Sequence, residues 1–114
     1  MPDTFIKLPE PSYPERSSFT ATAYFRDSSD AADTPTTVDY RIDCLTTGTS
    51  IAGWTSLTPG TSNAISVTPT NNRIIDNGNK WERRQIVVSS DRGLTTETRD
   101  TVQYKVRNIG GFDE

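Results

Sequence analysis

Apolar side chains recur along this chain at every second residue, and that period of two predicts half-buried β-strands. In Phe19–Phe25, the set Phe19, Ala21, Ala23 and Phe25 falls on one face, with Thr20, Thr22, Tyr24 and Arg26 on the other. Val38, Tyr40, Ile42 and Cys44 alternate with Asp39, Arg41 and Asp43. Ile65 and Val67 make a short strand ended by Pro69, and Val102, Tyr104 and Val106 alternate with Gln103, Lys105 and Arg107. No stretch carries the i, i+3, i+4, i+7 spacing of an amphipathic helix over three turns.

Trp81 to Ser90 fits the pattern less well. Ile86 and Val88 share a face with Glu82 and Arg84, whereas Trp81 shares parity with Arg83 and Val87. A bulge between Trp81 and Ile86 would bring both apolar groups inward, and this is the expectation; without one, Trp81 lies on the outer face. Trp54 and Leu57 complete the expected core, with Trp54 covering one end of it.

Turn sequences separate these segments: Ser28-Ser29-Asp30, Thr46-Thr47-Gly48, Thr58-Pro59-Gly60, Asp76-Asn77-Gly78-Asn79 and Asp91-Arg92-Gly93. Their spacing of roughly ten to eighteen residues suits an all-β, antiparallel sandwich or barrel of six or seven strands rather than a βαβ fold. The ends differ from this body. Residues 1–16 hold four of the seven prolines among Phe5, Ile6, Leu8 and Tyr13. They read either as an edge strand with a stiff linker or as an apolar arm that docks on a neighbouring molecule. Residues 17–109 form the sandwich, and 110–114, with Phe112 after two glycines, a short tail that orders on contact. Phe5, Ile6, Leu8, Tyr13 and Phe112 are therefore the candidate partner-binding residues.

Composition sharpens the picture. The chain has 114 residues, one domain's length, and only 32% of them are hydrophobic. Thr (18) and Ser (11) fill the gap, as suits a pleated surface. A net charge of −3 argues against a nucleic-acid surface, and Arg83, Arg84, Arg73 and Lys80 are interleaved with Glu82 and Asp76. No apolar run is long enough to span a membrane, and no basic and apolar segment of a secretory signal opens the chain.

The chain contains no His and one Cys. Ser-His-Asp and Cys-His nucleophile arrangements and zinc sites are thereby excluded, and no catalytic, cofactor or metal residue is assigned. Cys44 reads as a small buried hydrophobe. Asp39 and Asp43, four apart on a strand, are separated by about 13 Å, too far for a glycosidase pair, so Asp39-Arg41-Asp43 reads as a solvated stripe. Asp76-Asn77-Gly78-Asn79 lacks the spaced acidic ligands of a calcium loop and reads as a turn. Trp54, Trp81 and Tyr24 together would make an aromatic sugar platform, the less favoured reading.

Two stretches resemble a known group. Phe19 to Asp27, a polar loop and Thr34-Pro35-Thr36-Thr37-Val38 resemble bacterial and phage immunoglobulin-like modules. Tyr40-Arg41-Ile42-Asp43, Trp54 and Tyr104-Lys105-Val106-Arg107-Asn108 are similar to small immunoglobulin-like proteins of tailed-phage virions. Antibody domains are not matched, since no Cys pair bridges the sheets. The resemblance implies an immunoglobulin-like or fibronectin-III-like sandwich and a non-enzymatic structural protein of a tailed-bacteriophage virion. Such a protein decorates the capsid or sits at the head–tail neck or on the tail. It implies partners among the major capsid, portal, adaptor or tail proteins, several copies per particle, no cofactor, and assembly in the host cytoplasm. The alternatives are a carbohydrate- or host-surface-binding module and a fragment of a bacterial adhesin.

Overall fold

The longest ladder pairs β7 (Trp81–Ser90) with β8 (Thr98–Arg107) through ten consecutive residue pairs, from Trp81↔Arg107 to Ser90↔Thr98. The computed structural model describes residues 3–27, 29–76 and 78–109. The chain is all-β, with eight strands among those residues: β1 (Asp3–Lys7), β2 (Ser12–Pro14), β3 (Phe19–Arg26), β4 (Val38–Cys44), β5 (Thr49–Leu57), β6 (Ser62–Val67), β7 and β8. They form two sheets, ordered β1-β3-β6 and β2-β8-β7-β4-β5.

This is an immunoglobulin-like sandwich order. The run β8-β7-β4-β5 stands where strands G, F, C and C′ stand, and β3 and β6 take the places of B and E. The Pro-rich segment supplies the strands beyond the six of the body. Its first part pairs antiparallel with β3, and its second pairs parallel with β8 from Ser12↔Lys105 to Pro14↔Arg107. The sandwich is thus antiparallel except at β2. The N-terminal segment thus contributes one edge strand to each sheet.

The core lies between the sheets where alternation placed it. Ala21, Ala23, Phe25, Val38, Ile42, Ile65, Val67, Ile86, Val88, Tyr104 and Val106 are buried in one cluster, with Phe19, Tyr40, Leu57 and Val102 packed against it. Tyr13 and Ile74 join them. Cys44 is buried as expected, its Sγ 3.8 Å from Glu82 Oε1.

Two core assignments are corrected. β7 runs without a bulge, so Trp81 lies on the outer face with 47% of its surface exposed, and Glu82 and Arg84 take the inward places beside Ile86. Trp54 is not in the core either. β5 shifts register against β4 on both sides of Ile42, and Trp54 lies against guanidinium groups instead. In the long connection between β6 and β7, Asp76 O accepts a turn-type bond from Asn79 N and Asp76 Oδ1 accepts from Gly78 N, both at 2.9 Å. This connection joins no hairpin.

Candidate functional site

The five-stranded sheet turns its outer face away from the core, and its two ends have different chemistry. At one end, the β4–β5 shift brings Trp54 beneath three guanidinium groups. Arg92 Cζ lies 4.5 Å from the ring centroid, Arg99 Cζ 5.2 Å and Arg41 Cζ 5.8 Å. Each cation also has a carboxylate. Arg41 donates two bonds to Asp43 at 2.9 and 2.7 Å, Arg99 pairs with Glu97, and Arg92 Nε lies 3.7 Å from Asp39. Asp39 in turn accepts from Ser56 Oγ at 2.7 Å.

The arrangement is a roof. Val87 and Ser89 share this outer face, in register with Arg41 and Asp39, and both are buried. The Asp39-Arg41-Asp43 stripe is a paired network in which Asp39 is buried, at 6% exposed, while Arg41 and Asp43 stay partly open to solvent. The bonds it donates to Asp43 hold Arg41 more firmly protonated than usual, and the bond from Arg99 lowers the pKa of Glu97. With every cation paired, little charge remains here for a ligand.

The opposite end is open. Trp81 opens β7, an interior strand, on the outer face of the sheet, with Lys105 Nζ 4.6 Å from its ring centroid. Leu45 N donates to Arg83 O at 2.8 Å, which puts Leu45, Arg83 and Lys105 in one row across β4, β7 and β8. Trp81 faces Arg107 in the next row, and Ile109 follows β8 at the same end. Leu45, Trp81 and Ile109 are all exposed. Arg83 is bonded to the neutral Gln103 at 3.1 Å. Among the described residues no carboxylate comes within ion-pair distance of Arg83, Lys105 or Arg107. Among the described residues the result is an apolar and aromatic patch rimmed by three cations outside any ion pair, with the Glu15 carboxylate accepting from Ile109 N at 3.1 Å at its end, a composition that suits protein docking.

The residues predicted to bind a partner are placed elsewhere. Tyr13 is buried, its ring stacked on Phe19 with centroids 3.8 Å apart, and its hydroxyl accepts from Glu10 N at 2.9 Å. Ile6 and Leu8 pack against the core. These three fill the molecule's own interior, because β1 and β2 close the open flank of the sandwich. Phe5 lies half-buried on the outer face of the three-stranded sheet, stacked on Tyr24 at 5.2 Å with Arg26 over it. Phe112 lies outside the described residues. Among those residues no group of three or more Cys, Asp or Glu side chains gathers as a metal site would require. A shallow groove of about 430 Å³ between Phe19, Val67 and Pro69 is lined by no charged residue.

The open patch was missed in the sequence because its members lie far apart. The parity of Trp81 with Arg83, and of Lys105 with Arg107, was the signal that could have found it. Compared with known proteins, the chain matches no family model and no curated protein.

Proposed function

We propose that this chain is a non-enzymatic structural module of a tailed-phage virion, an immunoglobulin-like sandwich attached to the capsid as a decoration protein or to the neck or tail. The observation that carries an attachment role is the Trp81 patch. An exposed indole, Leu45 and Ile109 rimmed by Arg83, Lys105 and Arg107 suit an apolar protein segment bearing acidic groups. The placement in a virion rests on the resemblance of the strand and turn sequences. Partners are the structural proteins of the particle, several copies are present on each, and assembly takes place in the host cytoplasm. The carbohydrate-binding reading finds less support, because Lys105 occupies a face of Trp81 and three guanidiniums cover Trp54, leaving no paired platform.

The test has two parts. Mass spectrometry of purified particles made by the genome that encodes this chain should find it in a fixed ratio to the major capsid protein. Trp81→Ala and Arg83→Glu should melt like the wild type and yet fail to join the particle. Absence from the particle, or incorporation untouched by both changes, would remove the reading.

A further inference from the structure

A two-sheet sandwich has four edge strands, and each exposes backbone N–H and C=O groups that a second strand can pair. Three of the four are blunted here. On β1, Ile6 N donates to Asp100 Oδ2 at 2.9 Å, and Thr4 Oγ1 bonds Ser90 and Thr98 of the opposite sheet. β2 is three residues long, ends in Pro14 and follows Pro9 and Pro11. β5 is bent by two register shifts against β4. The fourth, β6, has none of these devices. It pairs with β3 through six unbroken residue pairs, and it contains no proline and no charge.

Its surroundings are as bare. From Cys44 to Asn72, 29 consecutive residues carry no Asp, Glu, Lys or Arg; β5 and β6 both lie within that stretch, and of the two only β6 pairs without a register shift. Edge strands that stay unpaired usually carry charge, which makes a neutral edge a surface that becomes covered.

The ladder shows which groups are free. Phe25 N donates to Thr61 O at 3.2 Å, so Phe25 and Thr61 form a hydrogen-bonded pair. By antiparallel alternation, Asn63, Ile65 and Val67 turn their peptide groups toward β3, and Ser62, Ala64 and Ser66 turn theirs outward. The same alternation carried across β3 leaves Ile6 N on the far side of β1, where Asp100 is found. Among the described residues the outward groups of Ser62, Ala64 and Ser66 have no backbone partner.

We propose that β6 pairs with β6 of a second copy of this chain, antiparallel about a two-fold axis through Ala64. In that register Ala64 meets Ala64 of the other copy, and Ser62 meets Ser66 on both sides of the axis. Every outward peptide group then finds its complement, and the two three-stranded sheets join into one of six strands. The occupant is a second copy because of what lies on the axis. A residue there faces itself, so a charge would repel its own image, whereas Ala64 is small and neutral. Pro59 and Pro69 bracket the strand and keep the pairing to this length. Self-pairing through β6 leaves the Trp81 patch free.

The experiment combines sedimentation velocity with amide hydrogen exchange on the full chain over a concentration series. A dimer should form as concentration rises. Dilution to monomer should speed exchange at Ser62, Ala64 and Ser66 by at least about tenfold and leave Asn63 and Ile65 protected. Ala64→Pro removes an outward donor, not a bond to β3, and Ala64→Lys sets like charges on the axis. Both should be monomeric, and should Ala64→Pro not fold, Ala64→Lys and the exchange pattern decide alone. A monomer at all concentrations with the three amides in fast exchange overturns the proposal. So does protection at every dilution, which would place another segment of the same chain on the edge. A dimer that survives both substitutions in a folded protein overturns it too, because its interface would lie elsewhere.

Discussion

Glu82 and Arg84 stand two residues apart on the inward face of β7, with Oε1 and Nη2 2.8 Å apart and neither side chain exposed. Between them they hold the 68–80 connection. Glu82 accepts from Ile75 N and Asp76 N, both at 2.9 Å, and from Asn79 Nδ2 at 3.1 Å. Arg84 donates to the carbonyls of Asn71 and Arg73. A buried pair gains little net energy, since desolvation offsets attraction, but it makes each partner depend on the other.

Glu82→Gln would leave Arg84 charged and without a counterion in the interior. The expected loss is about 3–5 kcal/mol, read as a shift of the urea midpoint. Replacing both residues together, Glu82→Leu with Arg84→Met, should cost less than the single change. Its mark should be faster amide exchange at Ile75 and Asp76, whose acceptor is gone.

Acid should destabilise the fold through the same carboxylate. Burial raises the pKa of Glu82, but the bonds from Ile75, Arg84, Asp76 and Asn79 outweigh it and leave the pKa below its ordinary 4.5. A carboxyl lowered by folding stabilises the native state above its unfolded pKa, and this stability is lost as pH falls through the folded value. Asp91, where burial is outweighed by bonds from Thr96, Thr36 and Thr37, acts in the same direction. Chemical denaturation in a pH series should therefore show a plateau near neutrality and a decline below about pH 4.5. The decline should be shallower in Glu82→Gln.

Alkali tests the other end of the scale. Burial pushes the Tyr104 hydroxyl up to about 12, and it donates to Asn72 Oδ1 at 3.3 Å. The unfolded chain releases this proton near 10, so between pH 10 and 12 the folded state holds the proton and the unfolded state does not. Stability is complete below pH 10 and falls by about 2–3 kcal/mol as pH rises to 12. Ultraviolet titration should show one phenol delayed to that range, and Tyr104→Phe should remove the delay.

Alternation read from the sequence located Ala21, Ala23, Phe25, Val38, Ile42 and Ile86 because each strand there faces one core and one solvent. The same rule failed at β7, where Glu82 and Arg84 occupy inward places that a polarity pattern assigns to solvent. Only the loop carbonyls and amides that meet them, distant in sequence, make those places tenable. It failed at Trp54 because two register shifts break the period along β5. Tyr13 was hidden by its prolines, which argued for an extended arm and also suit a short parallel edge. The patch of Leu45, Trp81 and Ile109 is assembled by pairing between β4, β7 and β8, and pairing is not written in any one strand.

The two tryptophans should separate cleanly by substitution. Trp54→Ala removes the ring on which three guanidiniums rest, for an expected loss of about 1–3 kcal/mol. Trp81→Ala removes a half-exposed ring and its single Lys105 contact and should change stability by less than about 1 kcal/mol. Iodide quenching gives the matching optical test. Quenching by iodide should fall more when Trp81 is replaced by Phe than when Trp54 is. Equal losses of stability from the two alanine variants would contradict the roof described for Trp54.

Removing residues 1–14 tests whether the N-terminal segment belongs to the fold. Deletion takes away β1 and β2 together, and with them the Tyr13 ring stacked on Phe19 and set edge-on to Tyr104 at 5.8 Å. An aromatic pair of this kind contributes about 0.5–1.5 kcal/mol beyond the burial of its area. Burying Tyr13, Ile6 and Leu8 contributes a few kcal/mol more, at about 25 cal/mol per Å² of apolar surface. The deletion also strips Asp100 and Thr98 of their partners on β1 and leaves the paired flanks of β3 and β8 open. Set against a typical net stability of about 5–15 kcal/mol, these losses are large enough to unfold the domain at ordinary temperatures. The truncated chain should lack a cooperative melting transition, and Tyr13→Ala alone should lower the midpoint while keeping cooperativity. A truncated chain that melts like the full one would mean that β1 and β2 are a detachable arm.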